Sequence, residues 1–186
     1  VNMKIAGVDI GTTGCKCTVF DDVGKYLGRA YREYPASRND NGHEIDAELV
    51  RKAVFETIAE MAKQFPDIAG IGVTSFGETF VMTDEKGIPL HKAMLYTDPR
   101  GDKQNQSLIE ALGSRPIQKI TGVKPHVTYS LSKMMWVKEN MPEVYNRAAH
   151  IFLMEDFVVY HLTGVAQIDY SLASRTQAFD IRNLCW

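Results

Sequence analysis

Asp9-Ile10-Gly11-Thr12-Thr13-Gly14 is the stretch on which the reading of this chain turns. It follows an apolar run, Ile5-Ala6-Gly7-Val8, that reads as a buried strand, and Cys15 to Phe20 reads as a second strand directly after it. The result is a tight strand–turn–strand with one carboxylate and two hydroxyls at its tip. Small residues there let backbone N–H groups approach an anion closely. The hydroxyls of Thr12 and Thr13 can donate to phosphate oxygens, and Asp9 can hold a hydrated Mg²⁺. The competing reading is an ordinary β-hairpin whose glycines and threonines merely suit a turn. The motif alone does not separate the two.

Other phosphate-binding patterns are absent. No G-x-x-x-x-G-K-[ST] string occurs, so there is no Walker loop. The early glycines fall at 7, 11 and 14, and the residues after them alternate like a strand, which excludes a dinucleotide fingerprint opening a helix.

Composition bounds the rest. With 186 residues, 45% of them hydrophobic and 24% charged, the chain is long enough for about one domain with a proper core. A formal charge of −2 offers no basic field for nucleic acid. No apolar stretch approaches the ~18 residues of a transmembrane helix, and the first apolar run is too short for a signal peptide. A soluble, cytoplasmic protein with no membrane partner is expected. Val1-Asn2 ahead of Met3 reads as an added remnant. Cys15, Cys17 and Cys185 make a sparse, odd set that suits free thiols in a reducing compartment. His43-Glu44 begins like a zinc-binding H-E-x-x-H, but Ala47 stands where the second histidine would be.

The order of elements follows from periodicity. After the hairpin, a turn at 21–25 leads to a third strand over Tyr26–Tyr34, and residues 35–44 read as a polar loop. Asp46 can cap a helix whose Val50, Val54, Ile58, Met61, Ala62 and Phe65 share one face, with Glu48 near its positive end. Pro66-Asp67 ends it. Ile68–Thr74 reads as a fresh buried strand and Thr79–Thr83 as another. Helices are predicted over about 100–112, 131–139 and 155–162, the last stopped by Gly164, with a short strand at Ile151–Leu153. The fold class is therefore α/β, a β-β-β-α-β order forming a mixed sheet covered by helices.

That order, opened by Asp-x-Gly-Thr-Thr, resembles the ribonuclease H-like half-domain of actin/hexokinase-type ATPases. Further segments narrow the resemblance to the FGGY carbohydrate kinases. Gly42-His43-Glu44-Ile45-Asp46 is similar to a family glycine–aromatic–x–Glu–x–Asp segment. Ile71–Ser75 with Glu78-Thr79 resembles the strand and loop that lie against the sugar, and Tyr96-Thr97-Asp98-Pro99-Arg100 a tryptophan–x–aspartate–x–arginine stretch in which Tyr96 replaces tryptophan. Ser132-Lys133-Met134-Met135-Trp136, the segment from Asp156 to Gly164, and Ser174-Arg175-Thr176 match later family segments. The match runs in order along nearly the whole chain.

The resemblance implies an ATP- and Mg²⁺-dependent phosphorylation of a sugar or polyol hydroxyl. It assigns Asp9 to the metal through water, and Gly11, Thr12, Thr13 and Lys16 to the phosphates. Gly77, Glu78, Tyr96 and Asp98 fall to the sugar. It also implies that residues 1–186 are the N-terminal domain, that the catalytic aspartate and most of the adenosine pocket belong to a C-terminal domain outside this chain, and that the fragment alone is inactive. A homodimer is compatible with it. From the residues themselves, Asp9 could instead make a turn hydrogen bond and Lys16 could sit on a solvated face. Glu78 could be a surface glutamate, Asp98 a helix cap and Tyr96 a core tyrosine. Lys133 and Arg175 are expected in structural ion pairs, and Phe157–Leu162 in the core.

Departures narrow the substrate. Glycerol kinases carry arginine–glutamate where this chain has Gly77-Glu78, and xylulose kinases carry Gln-Met-His-Gly around that position. A pentulose, hexulose, alditol or sugar acid is expected. The rival readings are a non-catalytic sugar or nucleotide sensor on the same fold, and an actin- or chaperone-like ATPase. Glu78, Tyr96 and Asp98 at their spacings argue against the second.

Overall fold

A computed structural model describes residues 3–40 and 42–186, which leaves Val1-Asn2 and Asn41 outside the described residues. The chain opens with β1 (Lys4–Ile10), β2 (Gly14–Phe20) and β3 (Tyr26–Glu33), then two short strands, β4 (Ala36–Asn39) and β5 (Gly42–Ile45). Helix α1 (Ala47–Gln64) leads to β6 (Ile68–Ser75), β7 (Phe80–Thr83) and β8 (Ala93–Met94). The remainder is α2 (Asp102–Leu112), α3 (Ser114–Thr121), α4 (Ser130–Asn140), α5 (Pro142–Arg147), β9 (His150–Leu153), α6 (Met154–Thr163) and α7 (Tyr170–Arg175).

Two compact units are built from this order. The first runs from the N-terminus to Ala36 and over Asp46–Phe76. Its sheet has the order β3-β2-β1-β6; β1 is antiparallel to β2 and parallel to β6, which makes the expected mixed sheet. Strand alternation turns Ala6, Val8 and Ile10 of β1 and Cys15, Cys17 and Val19 of β2 into the core. Helix α1 brings Ala47, Val50, Ala53, Val54, Thr57 and Met61 to that core, while Ala62 is exposed and Ile58 and Phe65 are half-buried. The Asp46 carboxylate accepts the N–H groups of Glu48 (2.9 Å) and Leu49 (3.3 Å), the expected N-cap.

The second unit comprises Ser37–Ile45 and Gly77–Trp186. Its sheet runs β4-β5-β8-β7-β9, with β7 antiparallel to both β8 and β9. Phe80, Met82, Met94, Val137, Val144, Leu153 and Leu172 form its core. Phe157 and Val158 are buried as expected, but Leu162 at the end of α6 is exposed.

Three expectations need correction. Residues 35–44 are not a loop throughout: β4 and β5 occupy much of that span, with the polar β4 at the edge of its sheet and β5 between β4 and β8. Strand β6 is not buried; among the described residues it pairs only with β1, and Ala69 to Gly72 are exposed. Helices α3, α5 and α7 lie where none was expected: α5 and α7 have six residues each, under two turns, and α3 follows α2 directly across Gly113.

Candidate functional site

The candidate phosphate loop closes the β1–β2 hairpin of the first unit. Gly11 N–H donates to Gly14 O (2.9 Å), and the register pairs Ile10 with Cys15 and Asp9 with Lys16. Tyr34, buried just after β3, grips the loop twice: its hydroxyl donates to Gly11 O (2.6 Å) and its N–H to Thr13 O (3.2 Å). Burial first, then nearby Cys15, Tyr31 and Asp9, pushes the Tyr34 phenol well above its ordinary range, so the O–H stays a donor. A side chain at Gly14 has no room, since its Cβ would stand 2.5 Å from the Tyr31 hydroxyl. Asp9 and Lys16 project together from the sheet face opposite α1, with Lys16 Nζ 2.8 Å from Asp9 Oδ2. Thr12, Thr13, Asp9 and Lys16 are thus gathered at one strand end.

The sugar candidates lie in the second unit. Gly77-Glu78 leads into β7, and Glu78 takes φ of +66°, a conformation non-glycine residues rarely hold. Ser130 Oγ donates to Glu78 O (2.8 Å), which helps to fix it. Arg175 Nε donates to Glu78 Oε1, Nη2 makes an ion-pair contact with the same oxygen, and the guanidinium lies 5.5 Å from the centre of the Tyr129 ring. The Glu78 side chain is only 7% exposed, that of Arg175 46%. Gly77 lies beside the same arginine: a Cβ there would meet the Arg175 stem at 3.7 Å. Tyr96 is exposed, its N–H donating to Thr79 Oγ1 (3.2 Å) and its carbonyl accepting from Thr128 Oγ1 (3.4 Å).

Asp98 is placed differently from the others. Its side chain is fully enclosed. Its oxygens accept the His43 N–H (2.8 Å), the Arg100 N–H (2.9 Å), Arg100 Nε (2.9 Å) and Arg100 Nη2 (2.6 Å). Burial acts to raise its pKa, but the Arg100 and His43 donors outweigh this and hold the carboxyl below its usual range. Arg100 continues to Glu44 (2.8 Å) and stacks over Trp136, 4.9 Å from the ring centre. Gly42 permits this knot: with φ of +145°, its Cβ would fall 2.6 Å from Arg100 Nη2.

Lys133 was expected in an ion pair and makes none among the described residues. Fully buried, its Nζ donates to Val127 O and Thr128 O (3.0 Å) and reaches Tyr129 O at 3.5 Å. Burial lowers its pKa to about 8, against the opposing pull of Asp98 and Glu78. Arg175 does form its expected ion pair, but with Glu78 itself. Sequence reasoning could not see that partnership across 97 positions, nor the parts played by Thr128, Tyr129 and Ser130. Among the described residues no group of three or more His, Cys, Asp or Glu is placed to hold a metal, and no helix is long and apolar enough to cross a membrane.

Comparison with known proteins completes the picture. The sequence matches the FGGY family of carbohydrate kinases, N-terminal domain, over residues 4–186. It is 35% identical over 191 residues to a glycerol kinase of Thermococcus onnurineus, covering 98% of this chain and 38% of that protein. To a xylulose kinase of Lactococcus lactis it is 28% identical over 190 residues, covering 98% of this chain and 37% of that protein. The crystal structure of gluconate kinase from Lactobacillus acidophilus superposes with a TM-score of 0.92 at 23% identity, over 100% of this chain and 38% of that one. At that identity the last match speaks for the fold, an actin/hexokinase-type α/β architecture. The chain spans well under half the length of these relatives.

Proposed function

Since the chain belongs to the FGGY family of carbohydrate kinases, we propose that it is the phosphate- and sugar-contacting N-terminal domain of an ATP-dependent kinase acting on a sugar or polyol hydroxyl in the cytoplasm. The observation that carries this reading is the Glu78–Arg175 pair: a carboxylate and a guanidinium held side by side at a left-handed residue, with the exposed ring of Tyr96 in the same unit. Carboxylates accept hydrogen bonds from adjacent hydroxyls, and an aromatic ring covers the apolar face of a carbon chain.

In this reading Glu78 and Tyr96 touch the sugar, with Gly77 beside them. Asp98 serves it at one remove, by fixing Arg100 and the His43–Glu44 segment. The hydroxyls of Thr12 and Thr13 donate to phosphate oxygens, as do the N–H groups of the same two residues, in the loop that the Tyr34 bonds hold in shape. The donor set fits the expected cation, because one carboxylate leaves room for the several waters that Mg²⁺ keeps. Bound there with ATP, Mg²⁺ would neutralise phosphate charge. Lys16, already beside Asp9, would add a second positive charge to the same end of the sheet. The base that deprotonates the attacking hydroxyl is assigned to the C-terminal part that the longer relatives possess, so the 186-residue chain alone should bind and not turn over.

The test is an ATP-coupled screen of the full-length gene product over ketoses, alditols and sugar acids. Turnover with one class supports the reading, and silence across the panel overturns it. Thermal stabilisation by a sugar without turnover would point to a sensor.

A further inference from the structure

The sheet face that carries Asp9 and Lys16 carries a third polar side chain, Tyr31, which stands opposite Lys16 in the β2–β3 register. Its neighbours along the strand turn the other way. Ala30 is buried in the core, and Arg32 reaches Glu60 of α1 at 2.7 Å. Alternation therefore aims Tyr31 away from α1, onto the face of Asp9 and Lys16.

From there the ring leans back over the candidate phosphate loop. A Cβ built on Gly14, where the turn ends, would lie 2.5 Å from the Tyr31 hydroxyl oxygen and 2.8 Å from Cζ. The phenol end of the ring, rather than its stem, thus rests on the loop. An aromatic ring laid across a glycine of the next strand covers it, and the ring alone is enough for that. The hydroxyl is left over. Tyr31 is 45% exposed, its carbonyl accepts Arg32 Nη1 (2.9 Å), and its hydroxyl has no hydrogen-bond partner among the described residues.

The groups around it are already engaged. Lys16 Nζ lies 2.8 Å from Asp9 Oδ2, and the Tyr34 hydroxyl is held by Gly11 O. Tyr31 brings an uncommitted, uncharged donor to the same strand end as Thr12 and Thr13. A terminal phosphate presents more acceptor sites than two threonine hydroxyls fill, and a donor aimed at a charged oxygen makes a stronger bond than one aimed at a neutral oxygen. Being neutral, the phenol adds to that grip without competing with Lys16 for Asp9.

We infer that Tyr31 is a further phosphate-binding residue, its phenol O–H donating to a phosphate oxygen of ATP held at the Gly11–Gly14 loop. The inference rests on the kinase reading above and adds a residue of the third strand to the phosphate site.

The experiment compares the full-length wild type with Tyr31→Phe and Tyr31→Ala, by steady-state kinetics with each substrate varied in turn and by equilibrium binding of ATP and of adenosine with Mg²⁺ present. Tyr31→Phe keeps the ring over Gly14 and deletes a hydroxyl that bonds nothing in the folded chain, so its melting temperature should match the wild type. Its KM and Kd for ATP should rise about tenfold, the scale of one hydrogen bond to a charged oxygen. KM for the sugar and the affinity for adenosine, which has no phosphate, should stay fixed. A Tyr31→Phe that binds ATP as tightly as the wild type overturns the inference and leaves the kinase intact, even where Tyr31→Ala weakens ATP, because the ring would then be all that matters. An equal loss for ATP and adenosine overturns it too. ATP binding without turnover of any sugar overturns the kinase reading alone, and the Tyr31→Phe affinity then decides this inference. Neither turnover nor ATP binding in the wild type overturns both.

Discussion

The hydroxyl of Tyr34 donates to the carbonyl of Gly11 at 2.6 Å, tying the end of the third strand to the turn between the first two. The candidate phosphate loop owes its shape to a residue more than twenty positions away as much as to its own glycines. Tyr34→Phe keeps the buried ring and deletes this one bond. It should lower stability by about 1 kcal/mol. On the proposed kinase reading, the same change in the full-length protein should raise KM for ATP several-fold while KM for the sugar stays fixed, because the two loops belong to separate units. Steady-state kinetics with each substrate varied in turn checks this, and a sugar-side effect of equal size would contradict it.

Gly42 should not tolerate a side chain. Alanine there would have to adopt a backbone angle that L-residues avoid and would press on the Arg100 guanidinium that Asp98 and Glu44 share. Gly42→Ala should cost about 1–3 kcal/mol. Denaturant titration of the wild type and the variant measures it, and a loss below a few tenths of a kcal/mol would show that Arg100 relocates freely.

Lys133→Met keeps the length and loses the ammonium, so the Val127 and Thr128 carbonyls lose their donor. The segment they belong to also carries Thr128, which bonds Tyr96, Tyr129, which backs Arg175, and Ser130, which bonds Glu78. A stability loss of about 1–3 kcal/mol should therefore be accompanied by a raised KM for the sugar. A variant that loses stability yet binds the sugar as tightly as the wild type would show that the segment keeps its shape without the lysine.

Asp156 gives the pH dependence. Burial first, with added repulsion from Glu155 and Asp169, pushes its carboxyl up to about 8, against hydrogen bonds that favour the anion. A carboxyl raised on folding contributes stability that is fully present below its ordinary pKa, about 4, and is lost as the pH climbs toward 8. Asp156→Asn carries a neutral amide at every pH. Its melting temperature relative to the wild type should rise steadily between pH 5 and pH 8. A constant difference across that range would show that Asp156 ionises as freely in the folded protein as in the unfolded one.

Much of the first unit was legible because its signals are local. The Asp9–Gly14 turn, the alternation of the flanking strands and the Asp46 cap all operate over a few residues. Strand β6 shows the limit of the same logic: Ile68 to Ser75 is apolar enough to suggest burial, but hydropathy cannot say how many neighbours a strand will have. Of the candidate site, the motifs marked stretches of chain but not the contacts their residues make. Asp98 and Arg100 stand two positions apart, yet nothing in that spacing tells that the carboxylate is turned inward to hold the arginine. The partner of Glu78 comes from α7, which no periodic pattern announced.

If Glu78 touches the sugar as proposed, its left-handed backbone sets folding and recognition at odds within a single residue. Holding a glutamate there costs on the order of 1–3 kcal/mol, a strain that glycine would relieve. A library of variants selected for heat resistance alone should drift toward glycine or asparagine at this position and lose the ion pair with Arg175, whereas growth on the sugar should keep the glutamate. Retention of the glutamate would then record selection for recognition rather than for stability.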